Sequence, residues 1–210
     1  MVDLTVLFLT VNRVPKQWAE YHWRMLLEAT EGYKIIKLEQ EASTDKSNIF
    51  KQMLKGARMA KSKYIAIAED DTLYPREHFH DIRPGDDEFG YNLHRWWLHT
   101  WDEPVYHTKK TYINATLIAP RELLIEALEE RSHLGLDCEI GKCEARYGLK
   151  PRKVRELYSN VGVVQFDHDY FAGSEEPGAI EKRHTKRPKP IKAYDIPHWG
   201  NAIGLRKHFA

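Results

Sequence analysis

The 210-residue sequence predicts an α/β fold: a mostly parallel central sheet flanked by helices, with a basic C-terminal extension. Three observations carry that expectation. The first 70 residues alternate short, almost wholly apolar runs with amphipathic stretches of helical spacing, the signature of successive β-α-β units. The third apolar run stops in three consecutive carboxylates, Glu69-Asp70-Asp71, and open parallel sheets bind ligands beyond such strand ends. Charge is unevenly divided behind an overall +1. Residues 1–180 hold 24 basic and 29 acidic side chains, a net of −5, whereas residues 181–210 hold 8 and 2, a net of +6.

The elements follow in order. Leu4 to Val11 is apolar throughout, as expected of a strand buried on both faces. Lys16 to Thr30 spaces Trp18, Tyr21, Met25 and Leu26 for one helical face, with Pro15 at its start and Gly32 ending it. Tyr33 to Leu38 predicts a second strand. Ser47 can cap a helix to about Ala60, whose apolar face holds Ile49, Phe50, Met53, Leu54 and Ala57. Tyr64 to Ala68 predicts the third strand, ending at the acidic triplet. Residues 80–110, rich in aromatics, His and Asp, read as a long excursion. Ile113 to Ala119 predicts a strand, Pro120 to Arg131 a helix, and Asp137 to Tyr147 another helix closed by Gly148. Lys153 to Leu157 and Val161 to Gln165 read as paired short strands. Nothing periodic follows Phe166.

Composition excludes several classes. A hydrophobic share of 42% is too high for a disordered chain, and no apolar run approaches the roughly 18–20 residues of a membrane span. Met1-Val2-Asp3 leads into a strand without a basic region or cleavage site, which predicts no signal peptide. Two cysteines cannot frame a disulfide scaffold, and a reducing cytoplasm is the expected compartment. Cys138 and Cys143 lie five apart in the expected helix and read as packing residues.

Three carboxylates beside a buried strand are costly unless a cation neutralises them, and a hard divalent ion with oxygen ligands does so while leaving positions for phosphate. The alternative is a solvated acidic turn. The stretch from Asn48 to Pro75, with amphipathic helix, buried strand, Glu-Asp-Asp and a following proline, resembles the GT-A nucleotide-sugar glycosyltransferases, particularly the family 2 type. In that family a strand ends in a DXD-like motif. The resemblance covers roughly residues 1–170. It implies a GT-A catalytic domain over 1–170, with 171–210 as a tail serving as a flexible lid or an acceptor-contacting extension.

The resemblance also implies roles. Asp71 would hold Mn2+ or Mg2+ at the donor diphosphate and Glu69, standing where the family usually has Asp, would face the ribose, with Asp70 between them. Thr10, Asn12 and Arg13 after the first strand, and Asp45 after the second, would contact the nucleotide, a UDP-sugar being favoured on family grounds. The family's base falls in an x-E-D motif opening a helix. Asp137 occupies that place in Gly135-Leu136-Asp137-Cys138-Glu139, although Leu136 replaces the usual Glu; Glu139 is the substitute, and Asp137 could equally be an N-cap. A C-terminal His often adds a metal ligand, and His168 and His198 are the two candidates.

Tyr91 to Trp101 carries Trp96, Trp97 and Trp101, flat apolar faces suited to sugars or bases, with sheet cover or a subunit contact as the plain alternative. Lys182, Arg183, Lys186 and Arg187 can form a lid screening the diphosphate, a contact for a polyanion, or a solvated loop. The expected activity is metal-dependent, inverting transfer of a sugar to a hydroxyl acceptor, such as a glycan or a polyanion like a modified nucleic-acid base. Two alternatives stand beside it: a nucleotidyltransferase making an NDP-sugar, for which Leu9 to Pro15 lacks the usual glycines, and a non-catalytic nucleic-acid-binding protein on a degenerate GT-A fold. Oligomeric state is left open.

Overall fold

The computed structural model describes residues 3–12, 14–39, 48–100, 103–108, 110–133, 150–167 and 191–209. β1 (Leu4–Thr10) is buried along its whole length and pairs in parallel with β2 (Lys34–Glu39) and β3 (Tyr64–Glu69). Between them run α1 (Lys16–Ala29) and α2 (Asn48–Met59). The sheet continues antiparallel through β8 (Leu117–Pro120) to β5 (Glu88–Asn92) and ends on β9 (Lys153–Leu157), giving the order β2-β1-β3-β8-β5-β9.

Alternation along these strands feeds two cores. Leu7, Leu9, Ile65 and Ile67 face α2 and α4 (Arg121–His133), packing on Phe50, Met53, Leu124 and Leu128. Leu4, Val6, Phe8, Tyr64 and Ala66 face the other way, onto Leu26 of α1 and Phe79 of α3 (Arg76–His80). In α1 the buried positions Trp18, His22, Leu26 and Ala29 recur at helical spacing, so one face is committed to the sheet.

A second sheet is built from strands far apart in sequence. Its order is β11-β7-β6-β10-β4, with β4 (Thr72–Leu73), β6 (Arg95–His99), β7 (Tyr106–Thr108), β10 (Val163–Asp167) and β11 (Lys192–Ala193). The stretch read as an excursion therefore supplies three strands. Their partners lie up to 87 residues away, so no local pattern announces them. The two strands expected to pair with each other divide instead: β9 joins β5 and β10 joins β6, because Val163, Val164 and Phe166 are wanted by cores on both faces of the second sheet. The expected strand from Ile113 opens as a 3-10 turn at Asn114–Thr116.

Residues 191–209 pack on this second sheet. After β12 (Asp195–Ile196) and β13 (Gly200–Asn201), the short helix α5 (Ala202–Arg206) brings Ala202 and Leu205 onto a cluster with Trp18, Leu98, Tyr106, Phe166, Ile196, Trp199 and Phe209. Asn201 caps α5, its side chain accepting from the Ile203 N–H. Among the described residues no helix is long and apolar enough to cross a membrane.

Candidate active site

β3 ends at Glu69, and the chain turns through Asp70 and Asp71 into β4. Main-chain carbonyls of this acidic turn are clamped from two sides. The Trp18 indole donates to Asp70 O at 2.7 Å, the His22 Nε2–H to Thr72 O at 2.8 Å, and the Phe166 N–H to Asp71 O at 2.8 Å. The Glu69 N–H in turn donates to the Tyr74 hydroxyl at 2.9 Å. With the backbone so tied, the Cα–Cβ directions of the three acids are set, and their side-chain partners decide where each carboxylate lies.

Each carboxylate has its own surroundings. Thr10, at the end of β1, donates its hydroxyl to Asp70, and the Asn12 N–H donates back to that hydroxyl at 3.0 Å. Asn12 has φ of +54°, a left-handed conformation that Asn tolerates better than most residues. Asp71 Oδ1 accepts from the Thr72 hydroxyl at 2.7 Å, and the Gln165 side chain is also hydrogen-bonded to Asp71. Beneath them lies Arg95, 2% exposed, donating to Gln165 Oε1 at 2.9 Å and Thr111 Oγ1 at 2.7 Å. Its guanidinium carbon stands 5.3 Å from the Trp97 ring centre.

The electrostatics follow from this crowding, in which the three side chains keep some exposed surface yet are surrounded in depth. Burial raises the Glu69 carboxyl above its ordinary value, and the Asp71 and Asp70 charges add to the rise against Arg95. Burial also raises Asp71, opposed by its hydrogen bonds to Thr72 and Gln165 and by Arg95. Arg95 is itself lowered to about 9 by burial, against the pull of Asp71 and Glu69.

Glu69 and Asp71, with Asp167, crowd around the buried Arg95 guanidinium, and Asp70 adds its charge beside Glu69, a concentration of carboxylates that suits a hard divalent cation. Among those residues no three His, Cys, Asp or Glu side chains form a ready cage. Ions such as Mg2+ need none, since they take one or two carboxylates and complete their shell with water and substrate phosphates. The residues fit such an ion.

β6 divides the tryptophans. Arg95, Trp97 and His99 share one face with Thr72, Gln165 and Asp167, whereas Trp96 and Leu98 turn into the third core. On the first face, His99 Nε2 lies 3.9 Å from Asp167 Oδ2 and its ring stacks on His107 at 4.9 Å between centres. His198 is exposed in the turn between β12 and β13, with φ of +72°, edge-on to Trp199.

The structure therefore brings together Thr10, Asn12, Glu69, Asp70 and Asp71, with Trp97 beside them on the second sheet across Arg95. Arg13, Asp45, Trp101, Asp137, Glu139, His168, Lys182, Arg183, Lys186 and Arg187 lie outside the described residues. The sequence pattern gives no site role to Arg95, Gln165 or His22, and places Trp18 only on a helix face. For Arg95 no clean signal existed: Arg95-Trp96-Trp97-Leu98-His99 sets three apolar residues in a row between its polar ends, which breaks the alternation of a strand. For Trp18 and His22, burial on a helix face hid the polar atom that matters.

No family model and no curated protein matches this chain. Solved structures do. A glycosyltransferase involved in glycosylation of the major capsid of PBCV-1 is 11% identical, with a TM-score of 0.50 over 86% of this chain and 97% of that one. Residues 1–349 of TarS from S. aureus, solved with UDP-GlcNAc, are 9% identical, with a TM-score of 0.51 over 84% of this chain and 62% of that one. At such identities the likeness shows the fold: this chain has a GT-A fold, as the strand-to-acidic-turn resemblance implied.

Proposed function

We propose that the chain is a metal-dependent glycosyltransferase, moving a sugar from a nucleotide-diphosphate donor, UDP-sugar first, to a hydroxyl acceptor. The observation that carries this reading is the clamped Glu69-Asp70-Asp71 turn at the carboxyl end of β3, its Glu69 and Asp71 carboxylates set against the buried Arg95 guanidinium in a GT-A fold. That the TarS structure was solved with UDP-GlcNAc supports a UDP-sugar as the first donor to try.

In this reading Asp71 holds Mn2+ or Mg2+, with His168 or His198 as a further ligand. The ion, when bound, supplies charge stabilisation for the departing diphosphate. The chain's own residues do the rest. Glu69, Asp70, Thr10, Asn12, Arg13 and Asp45 bind and orient the nucleotide; the Thr10–Asp70 bond supports this by joining the ends of β1 and β3. Asp137, or Glu139 in its place, takes the proton from the acceptor hydroxyl as that oxygen attacks the anomeric carbon, giving inversion. Trp97 and Trp101 offer ring faces to an acceptor sugar; Trp96 is spent on the core. Lys182, Arg183, Lys186 and Arg187 screen the diphosphate as a lid and keep water from the donor.

A thermal-shift titration tests the reading. Mn2+ with UDP should raise Tm by several degrees through binding to the folded state alone. Asp71→Ala should abolish the Mn2+-dependent part. No shift with any of UDP, GDP or TDP in the presence of Mn2+ removes the donor assignment.

A further inference from the structure

Asp71 is fixed from the second sheet as well as from its own turn. Gln165, in the middle of β10, is opposite Thr72 in the antiparallel β10–β4 pair and opposite Trp97 in the parallel β10–β6 pair. Its side chain therefore stands between the acidic turn and the strand carrying Arg95. Arg95 can only donate, and its Nη1 donates to Gln165 Oε1 at 2.9 Å. That assigns the amide's orientation: with its oxygen on the guanidinium, the Gln165 NH2 is the group left to donate to the Asp71 carboxylate. The other end of Arg95 is anchored on Thr111 Oγ1 at 2.7 Å, so the guanidinium is held both from β10 and from the loop before the 3-10 turn. Asp71 in turn receives the Thr72 hydroxyl on Oδ1 at 2.7 Å.

We propose that Arg95 and Gln165 form a one-way hydrogen-bond relay that sets the rotamer of Asp71 and so positions this carboxylate for the metal and the donor diphosphate. The inference rests on the reading of Asp71 as a metal ligand. Arg95 and Gln165 are positioning residues: they touch Asp71, directly or through each other, and not the reacting atoms. The relay also ties the donor side to the strand presenting Trp97, whose ring lies 5.3 Å from the guanidinium carbon. Partners that orient a ligating carboxylate typically contribute about tenfold to a hundredfold in metal affinity.

Gln165→Met keeps length and shape but removes both the donor and the acceptor. Gln165→Glu keeps the oxygen that Arg95 bonds but replaces the donor facing Asp71 with a second acceptor. Manganese binding in the presence of UDP is measured by the loss of the free Mn2+ electron paramagnetic resonance signal. Both variants should weaken binding by about tenfold or more. In an Asp71→Asn background the Gln165→Met change should have no further effect, because the group it positions is gone. In 15N-labelled protein the Gln165 side-chain amide resonances should shift on Asp71→Asn without any metal.

Binding by either folded variant within twofold of the unsubstituted protein overturns the relay, as does an undiminished Gln165→Met effect in the Asp71→Asn background. An unfolded Gln165→Met leaves the decision to Gln165→Glu, which preserves the Arg95 contact. Failure of the unsubstituted protein to bind Mn2+ and UDP removes the reading of Asp71 as a ligand, while the amide resonances still report whether the relay exists. An unshifted Gln165 amide in Asp71→Asn overturns it there.

Discussion

At the scale of single residues, the acidic turn shows how side-chain chemistry is assigned by neighbours rather than by identity. Glu69, Asp70 and Asp71 are consecutive acids with three different environments: a tyrosine hydroxyl at the Glu69 main chain, a β1 threonine on Asp70, and a threonine-glutamine pair on Asp71. In the proposed reaction Asp137 is the base, so Asp137→Asn removes the proton acceptor while leaving the donor side untouched. Mn2+-dependent UDP binding should therefore persist, while UDP release from a UDP-sugar should fall by about a hundredfold or more. Turnover near that of the unsubstituted protein would move the base to Glu139.

At the scale of elements, the far edge of the first sheet depends on β5. This strand links β8, and through it the parallel half, to the edge strand β9. Gly90 lies at its centre, where a Cβ would stand 2.6 Å from Leu157 Cδ1, 3.1 Å from Pro84 Cβ and 3.2 Å from the Ile118 carbonyl oxygen. The leucine tip can move; a proline ring and a paired main-chain carbonyl cannot. Gly90→Ala should destabilise by about 1–3 kcal/mol, or roughly 3–10 °C in Tm by calorimetry. An unchanged Tm would mean that β5 can slide away from β8 at little cost. Elements also explain where sequence periodicity misled. β6 and β7 belong to a sheet whose other members arrive from residues 72–73, 163–167 and 192–193, so their pairing is invisible to any local window.

At the scale of the whole molecule, stability should depend on pH through histidines packed neutral between the layers. His22, against Phe8 and Trp18, is lowered to about 4 by burial, and His78 to about 3 by burial and then by Arg83. The Asn92 amide donates to His78 Nδ1 at 3.1 Å, a bond that only a neutral ring can accept. Both values lie below the ordinary 6.5, so the unfolded chain takes up protons first. Their contribution is complete above about pH 6.5 and declines as pH falls towards 4 for His22 and 3 for His78. Glu69 and Asp71, raised by burial, pull the other way. The effect of His78 is isolated by comparing slopes. Between pH 6 and 4.5, urea unfolding of His78→Gln should lose up to about 1.4 kcal/mol less per pH unit than the unsubstituted protein. Equal slopes would show that His78 is already charged in the folded chain.

The sequence by itself determined the α/β class, the first three parallel strands, and the acidic turn at a strand end. Each is a local pattern: an apolar run, a helical period, or a charge beside buried residues is set by neighbours within a few positions. Tertiary structure alone decided which acid meets which partner. Arg95 and Gln165 are 70 residues apart, and Trp18 reaches an Asp70 carbonyl from another element. It also decided that residues 191–209 close the second sheet's core, and that Trp97 faces the acidic turn while Trp96 does not. Such choices depend on register and on the order of strands within a sheet. Those are fixed by burying both faces of every strand at once, which is a property of the whole chain and of no window within it.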